Sequence, residues 1–237
     1  MIEDNTKVQT VEGQIPIKDL VGQEVDVYCM DKYGNLCIAP AKNIRIDYEV
    51  MDLEKYVDLI QITTSRGELI CDVDQLIYTK RGFIKSSELQ VNYRLVGLNH
   101  KMGSYQQAYV ALSGKKYIPE HRFVAGHYQD IPKGYDVHHL NGIHIDNRKS
   151  NLQIISHSHH SLITNIGHAD YNDHGIDGKF TKKDTHKSKD AYQLNEHPIG
   201  TNLRIVSITN LDYTENLYTL DVEGYDNFIG NGLVLHV

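Results

Sequence analysis

Histidine and asparagine crowd one short stretch: Val137-His138-His139-Leu140-Asn141-Gly142, then Asp146-Asn147-Arg148, Asn151-Leu152 and His157-Ser158-His159-His160. Residues 135–140 have β-branched and aromatic character after the turn signal Pro132-Lys133-Gly134, and Asn141-Gly142 ends them. The polar stretch 143–150 reads as a loop and Leu152-Gln153-Ile154-Ile155 as a second strand, with Ser156 as the N-cap of a helix over 157–165. Successive side chains on a strand alternate faces, so His138 and His139 point opposite ways. On the helix, His157 and His160 share a face. One strand histidine and one helix histidine can therefore converge on a divalent cation and leave the other strand histidine to activate water. A neutral imidazole accepts a proton near neutral pH, and a Lewis-acidic cation neutralises charge on a leaving oxygen. The pattern points to hydrolysis of phosphodiester bonds. The blander alternative, a structural zinc site or a surface histidine tract, has no cysteine nearby and leaves the asparagines without a purpose.

Residues 118–165 as a whole resemble the HNH nuclease motif, the ββα-metal finger of phage and intron homing endonucleases. Glu120-His121-Arg122-Phe123-Val124-Ala125 is similar to the His-Arg-x-Val-Ala helix that precedes that motif. The resemblance implies His139 as the general base and His138 as the first metal ligand. It implies Asn151 as the residue that braces the loop and orients the base, and His160 as the last metal ligand, with His157 and His159 as rivals. One divalent ion is implied, Mg²⁺ or Mn²⁺, with Ni²⁺ or Zn²⁺ as alternatives because imidazole suits transition metals better than Mg²⁺. The implied partner is double-stranded DNA, its backbone held by Arg122, Arg148 and Lys149.

The 237-residue chain carries a net charge of −7, which argues against a polyanion partner until its distribution is read. Residues 1–93 hold 10 basic against 16 acidic side chains, residues 94–190 hold 13 against 9, and residues 191–237 hold 1 against 6. The basic centre coincides with the histidine-rich stretch, as phosphate binding requires. Within it, Gly178-Lys179-Phe180-Thr181-Lys182-Lys183 is a basic turn that can lie on a DNA backbone or serve as a solvated linker. Cys29, Cys37 and Cys71 show no metal-ligand spacing, and an odd count argues against a disulfide framework. No secretory signal or apolar spanning run is seen, so the expected location is the cytoplasm of a bacterial or phage-infected cell, with no membrane partner.

Both acidic ends read as short alternating strands, among them residues 6–10, 14–17, 24–28, 57–63, 76–79, 203–208, 217–222 and 233–236. Neither end has enough strand to bury a core alone, whereas together they can close one all-β domain. They resemble the Hint splicing domain of inteins. The opening block is Met1-Ile2-Glu3-Asp4-Asn5-Thr6-Lys7-Val8, the second runs from Gly67 to Leu89, and the closing blocks cover Leu217 to Gly224 and Asn227 to His236. The implied fold is a mostly β, horseshoe-like Hint domain made from residues 1–97 and 199–237. An α+β HNH unit with its linker, residues 98–198, is inserted in it. The implied partners are the host extein flanks and the intein-less host gene site.

The departures from the family bear on activity. Met1 stands where a Cys or Ser nucleophile begins splicing, and a thioether is no nucleophile. Gln75 replaces the histidine that assists the acyl shift, Asp226 occupies a place where histidine is common, and Val237 lacks the side-chain amide of the usual final Asn. The penultimate His236 is kept. The expectation is a splicing-incompetent Hint scaffold, natural or trimmed at the family's own boundaries, that carries a homing endonuclease. An autoprocessing element whose nuclease is secondary, and a DNA-binding module with a dead nuclease, are the competing readings.

Overall fold

The computed structural model describes residues 1–49, 57–103, 107–169, 203–212 and 215–237. The basic turn at 178–183 lies outside the described residues. In chain order the first strands are β1 (Ile2–Glu3), β2 (Lys7–Thr10), β3 (Gly13–Pro16), β4 (Val25–Met30), β5 (Leu36–Tyr48), β6 (Leu59–Thr64), β7 (Gly67–Asp72), β8 (Leu76–Thr79) and β9 (Gly82–Lys85). Next come β10 (Leu98–Met102), β11 (Ala108–Leu112), β12 (Ile118–Pro119), helix α1 (Glu120–Tyr128), β13 (Tyr135–His139), β14 (Leu152–Ser156) and helix α2 (His157–Ala169). The last are β15 (Ile205–Leu211), β16 (Leu217–Val222), β17 (Asn227–Gly230) and β18 (Leu233–His236).

Strands from the two ends interleave in one thirteen-stranded sheet, ordered β15-β6-β7-β1-β16-β5-β4-β2-β17-β18-β8-β9 with β3 on β2. β1 lies between β7 and β16, and Leu235 of β18 pairs with Ile77 of β8. Strand alternation explains the burial: Tyr218, Leu220 and Val222 of β16 point inward while Asp221 between them stays exposed. These side chains join Ile2, Val8, Ile62 and Leu69 in the main core, so each end supplies what the other lacks. β10, β11 and β12 form a separate sheet, and β13 and β14 a third.

A second core joins the middle of the chain to the scaffold. Tyr28, Met30 and Ile38 of β4 and β5 pack with Leu98, Val110 and Leu112 of β10 and β11, Val124 of α1, and Ile229 and Val234 of β17 and β18. Each such side chain contributes about 1.5–3 kcal/mol when fully buried. The unit that holds the histidines is thus fixed to the large sheet through packed apolar surface. Tyr28 also meets Phe123 edge-on, with ring centroids 5.3 Å apart.

Gly97 marks the crossing point. It bridges Leu233, and the adjoining Leu98 N–H donates to the Gly232 carbonyl at 2.8 Å. A Cβ at 97 would overlap that same backbone oxygen and lie 2.8 Å from Leu203 Cδ2. Backbone cannot swing aside as a side chain can, so Gly97→Ala is expected to cost about 2–3 kcal/mol. Thermal unfolding reads this as a Tm lowered by about 5–10 °C; an unchanged Tm would show that the crossing is loose.

Candidate active site

The turn at Pro132-Lys133-Gly134, with Gly134 at φ +85°, starts β13, and β14 returns beside it with His138 opposite Gln153 and His139 opposite Leu152. Ser156 Oγ accepts the His159 N–H at 3.3 Å, capping α2 where the chain leaves the strand. Strand, loop, strand and helix thus bring the histidines together on two faces of one hairpin.

On one face, His139 is buried at 5% exposure. Its Nε2 lies 3.0 Å from Asn147 Oδ1, and the Asn147 amide nitrogen donates to Glu120 Oε2 at 2.8 Å. Glu120, 1% exposed, also accepts from the Tyr28 hydroxyl at 3.2 Å and lies 3.6 Å from His100 Nε2. Burial alone would push this carboxyl up; the donors, His100 foremost, outweigh it and hold the group below its usual value. A charged carboxylate only accepts, which orients the Asn147 amide with its NH₂ toward Glu120 and its oxygen toward His139. The proton of neutral His139 therefore sits on Nε2, leaving Nδ1 as the basic nitrogen. Burial, more than any neighbour, pushes the His139 imidazole below its ordinary value, so the ring is neutral at pH 7.

The other face carries His138 and His160, with ring centroids 5.2 Å apart. Asp136 Oδ2 accepts from His160 Nδ1 at 3.0 Å and from His157 Nδ1 at 2.8 Å, and these two bonds hold the Asp136 carboxyl below its usual range. In neutral His160 the lone pair is then on Nε2, the arrangement in which a carboxylate orients a metal-binding histidine. His157 is bound to the same carboxylate but is exposed, and His159 is exposed on α2. Among the described residues, the grouping of three ligands within reach of one point is Glu3, Asp4 and Glu215 on the scaffold, not the histidines. As a pair, His138 and His160 could hold a cation with its other positions left open, the pattern of catalytic sites.

The loop between the strands is knitted by its own polar groups. Asn151 accepts the Asn141 N–H at 3.0 Å and donates to the Asn141 side chain at 3.0 Å and the Asp146 carbonyl at 2.8 Å. It braces the loop, while the asparagine hydrogen-bonded to His139 is Asn147. Arg148 forks onto buried Asp146 at 2.8 and 2.6 Å, so its guanidinium is engaged within the loop. Lys149 Nζ stands 3.7 Å from the centre of the Tyr128 ring, and Arg122 is exposed on α1. The sequence pattern alone gives Glu120 and Asn147 no role. The signal for Glu120 was its i, i+4 spacing to buried Val124, which puts a carboxylate on the inner face of α1.

The positions matched to splicing lie elsewhere. Met1, Asp72, Gln75, His236 and Val237 line a cavity of about 580 Å³ at the sheet. Gln75 accepts from the Met1 amine at 2.7 Å and donates to the His236 carbonyl at 2.8 Å, and Asp72 also accepts from that amine. His236 Nδ1 is 2.7 Å from the Val237 carbonyl, and Asp226 Oδ2 is 4.0 Å from His236 Nε2.

Fold and site together define a Hint-type β scaffold bearing an HNH unit, and comparison with known proteins agrees. Residues 121–162 match the family model described as HNH endonuclease. No curated protein matches the chain. Among solved structures, the G-1F mutant of the Ssp DnaB mini-intein variant M86 is similar at 14% identity and TM-score 0.52, covering 100% of this chain and 97% of that one. The same variant without that mutation gives 15% identity and TM-score 0.51, covering 100% and 92%. The DnaX mini intein from Spirulina platensis gives 14% identity and TM-score 0.50, covering 100% and 98%. At such identities the likeness is one of fold, and the fold is that of inteins. No helix among the described residues is long and apolar enough to cross a membrane.

His121, whose ring centroid is 5.5 Å from that of His139, sets a pH dependence. Its Nδ1 is buried with no hydrogen-bond partner among the described residues, and burial, then His139, push its imidazole from 6.5 down to about 4. The unfolded chain takes up a proton that the native site resists. Stability from this group is therefore complete above about pH 6.5 and lost as pH falls toward 4. The expected loss across that window is about 2–3 kcal/mol. Urea titrations at pH 7 and 4.5 check it: His121→Leu should lose less stability between the two than the parent chain, and parallel losses would exclude His121 as the cause.

Proposed function

We propose that this chain is an intein-encoded homing endonuclease, hydrolysing DNA phosphodiester bonds at an HNH site on a Hint scaffold that no longer splices. We assign residues 98–198 to the nuclease with its linker, and residues 1–97 and 199–237 to the scaffold. The separate sheets of the middle and the shared sheet of the ends support that division. The observation that carries the nuclease reading is the pairing of two states on one hairpin. A neutral His139 with its lone pair on Nδ1 lies back to back with the His138 and His160 ligand pair.

In the reaction, His139 Nδ1 takes the proton from water as its oxygen bonds to phosphorus and the P–O3′ bond breaks, leaving a 5′-phosphate. His138 and His160 would hold a divalent ion, Mg²⁺ or Mn²⁺ first and Ni²⁺ or Zn²⁺ as alternatives, whose contribution is Lewis-acid stabilisation of the leaving oxygen. Asp136 keeps His160 in the ligand form. Arg122 and Lys149 contact the DNA backbone; Arg148 is assigned the same partner while its fork on Asp146 shapes the loop. The missing nucleophile at Met1, the missing acid at Gln75 and the missing amide at Val237 each remove a group that splicing uses.

The purified chain with Mg²⁺ or Mn²⁺ should nick or cut a plasmid carrying the uninterrupted host gene, and EDTA should abolish this. His139→Ala should lower the rate by about 10²–10⁴-fold with DNA affinity unchanged, and His160→Ala should move the metal titration as well as the rate. Cutting that survives His139→Ala excludes this base. For the scaffold, a fusion with foreign flanks should remain intact by mass spectrometry; ligated flanks would show that splicing persists.

A further inference from the structure

The base of the proposed reaction is held by a chain of groups that leaves the strand–loop–strand–helix unit and ends on the large β sheet. Tyr28 belongs to β4, which pairs with β5 and β2 of that sheet. Its hydroxyl and His100 of β10 meet Glu120, Glu120 meets Asn147, and Asn147 meets His139. Every side chain in the inner part of this chain is almost fully buried: Tyr28 and Glu120 at 1%, Asn147 at 2% and His139 at 5%. Glu120 and Tyr28 also lie outside the matched residues 121–162.

We propose that Tyr28, His100, Glu120 and Asn147 are positioning residues that lock His139 in its Nε2–H form, so that the Hint scaffold is a working part of the nuclease site. The proposal rests on His139 being the base. An Asn amide is symmetric in shape and can turn over, and turned over it would present NH₂ to His139 Nε2 and drive the ring proton to Nδ1, the nitrogen that must take the proton from water. Glu120 prevents the turn because a carboxylate offers no hydrogen to the Asn147 oxygen. Tyr28 and His100 in turn keep the carboxylate charged and aimed. A wrong tautomer in an otherwise intact site is costly, about 10⁴-fold in the best-studied hydrolytic triad.

The neighbouring contacts fit one purpose, since they hold the same two pieces in register. The Lys149 N–H donates to the Val11 carbonyl at 2.9 Å, and Ser150 binds the Glu12 carboxylate through its N–H at 3.1 Å and its hydroxyl at 2.6 Å. The Tyr128 hydroxyl donates to Asp26 of β4. The loop that carries Asn147 is thereby fixed to the turn that follows β2, and α1 is fixed to β4 two residues from Tyr28.

The test uses the full chain, metal-free and labelled with ¹⁵N-histidine, with His139→Gln identifying the His139 signals. Two-bond ¹H–¹⁵N spectra should show His139 protonated at Nε2. Glu120→Gln and Asn147→Ala should convert that signal to a tautomer mixture. With Mg²⁺ and a plasmid carrying the uninterrupted host gene, Asn147→Ala should lose about 10²-fold in kcat with KM unchanged. Tyr28→Phe, which keeps the ring in the core, should lose about tenfold in kcat. Combined with Glu120→Gln it should cost no more than Glu120→Gln alone, as members of one chain do. An Nε2–H signal that persists in Asn147→Ala overturns the proposal, and so does a Tyr28→Phe loss that multiplies with that of Glu120→Gln. Absence of cleavage by the parent chain would defeat the nuclease reading alone, because the tautomer is read without metal or DNA.

Discussion

A carboxylate that stays charged at 1% exposure needs hydrogen-bond donors around it, and Glu120 draws them from three places far apart in the chain: Tyr28 on β4, His100 on β10 and Asn147 in the hairpin loop. Desolvating such a group costs several kcal/mol, and a partner that drifts by an ångström forfeits the compensation. The sheet, the middle strands and the loop therefore have to meet at one point within hydrogen-bond tolerance. Most of the surrounding architecture can be understood as the means of that meeting. α1 places the carboxylate at its first turn, with Val124 one turn on in the second core. β10 and β11 pack Leu98 and Val110 against Met30 and Ile38 in that core. The loop closes on itself through Asn141, Asp146 and Asn151 and delivers Asn147.

The opposite face of the hairpin obeys a looser rule. Asp136 is half-buried, and its two histidine donors come from the adjoining helix, so the arrangement is local and needs nothing from the scaffold. One strand thus presents two histidines in opposite surroundings. His139 is enclosed and held by distant groups, while His138 and His160 stay open toward whatever approaches from outside. Alternation of side chains along β13 makes that division possible with two adjacent residues.

The parts legible in the sequence were those governed by short-range pattern. The hairpin, its helix and the strands of both ends follow from alternation, turn residues and a capping serine, and the structure has β13 at Tyr135–His139 and α2 at His157–Ala169. The thirteen-residue β5 did not announce itself: Pro40 interrupts it, Asn43 sits at φ +50°, and its pairing with β16 shifts register near Asp221, which erases the period of two. β10 to β12 were equally hidden, since their sheet is short and its burial depends on residues more than sixty positions away. Glu120 and Asn147 looked like ordinary polar residues. Their roles exist only through Tyr28 and His100, and no local spacing encodes a partner so distant. Arg148, read as a backbone clamp on DNA, is half-exposed but forked onto Asp146, a short-range pairing that the Asp146-Asn147-Arg148 run left visible.

The second core has a consequence for the history of such a chain. Elements that insert and depart freely must leave a finished surface behind them. Here removal of the middle segment would strip the cover from Tyr28, Met30, Ile38 and Val234, a row of buried apolar side chains with nothing to replace it. Simple deletion of that segment would leave an apolar face open to water. Polar replacements along that row would have to come first, and each of them would loosen the seat of the middle segment while it was still present.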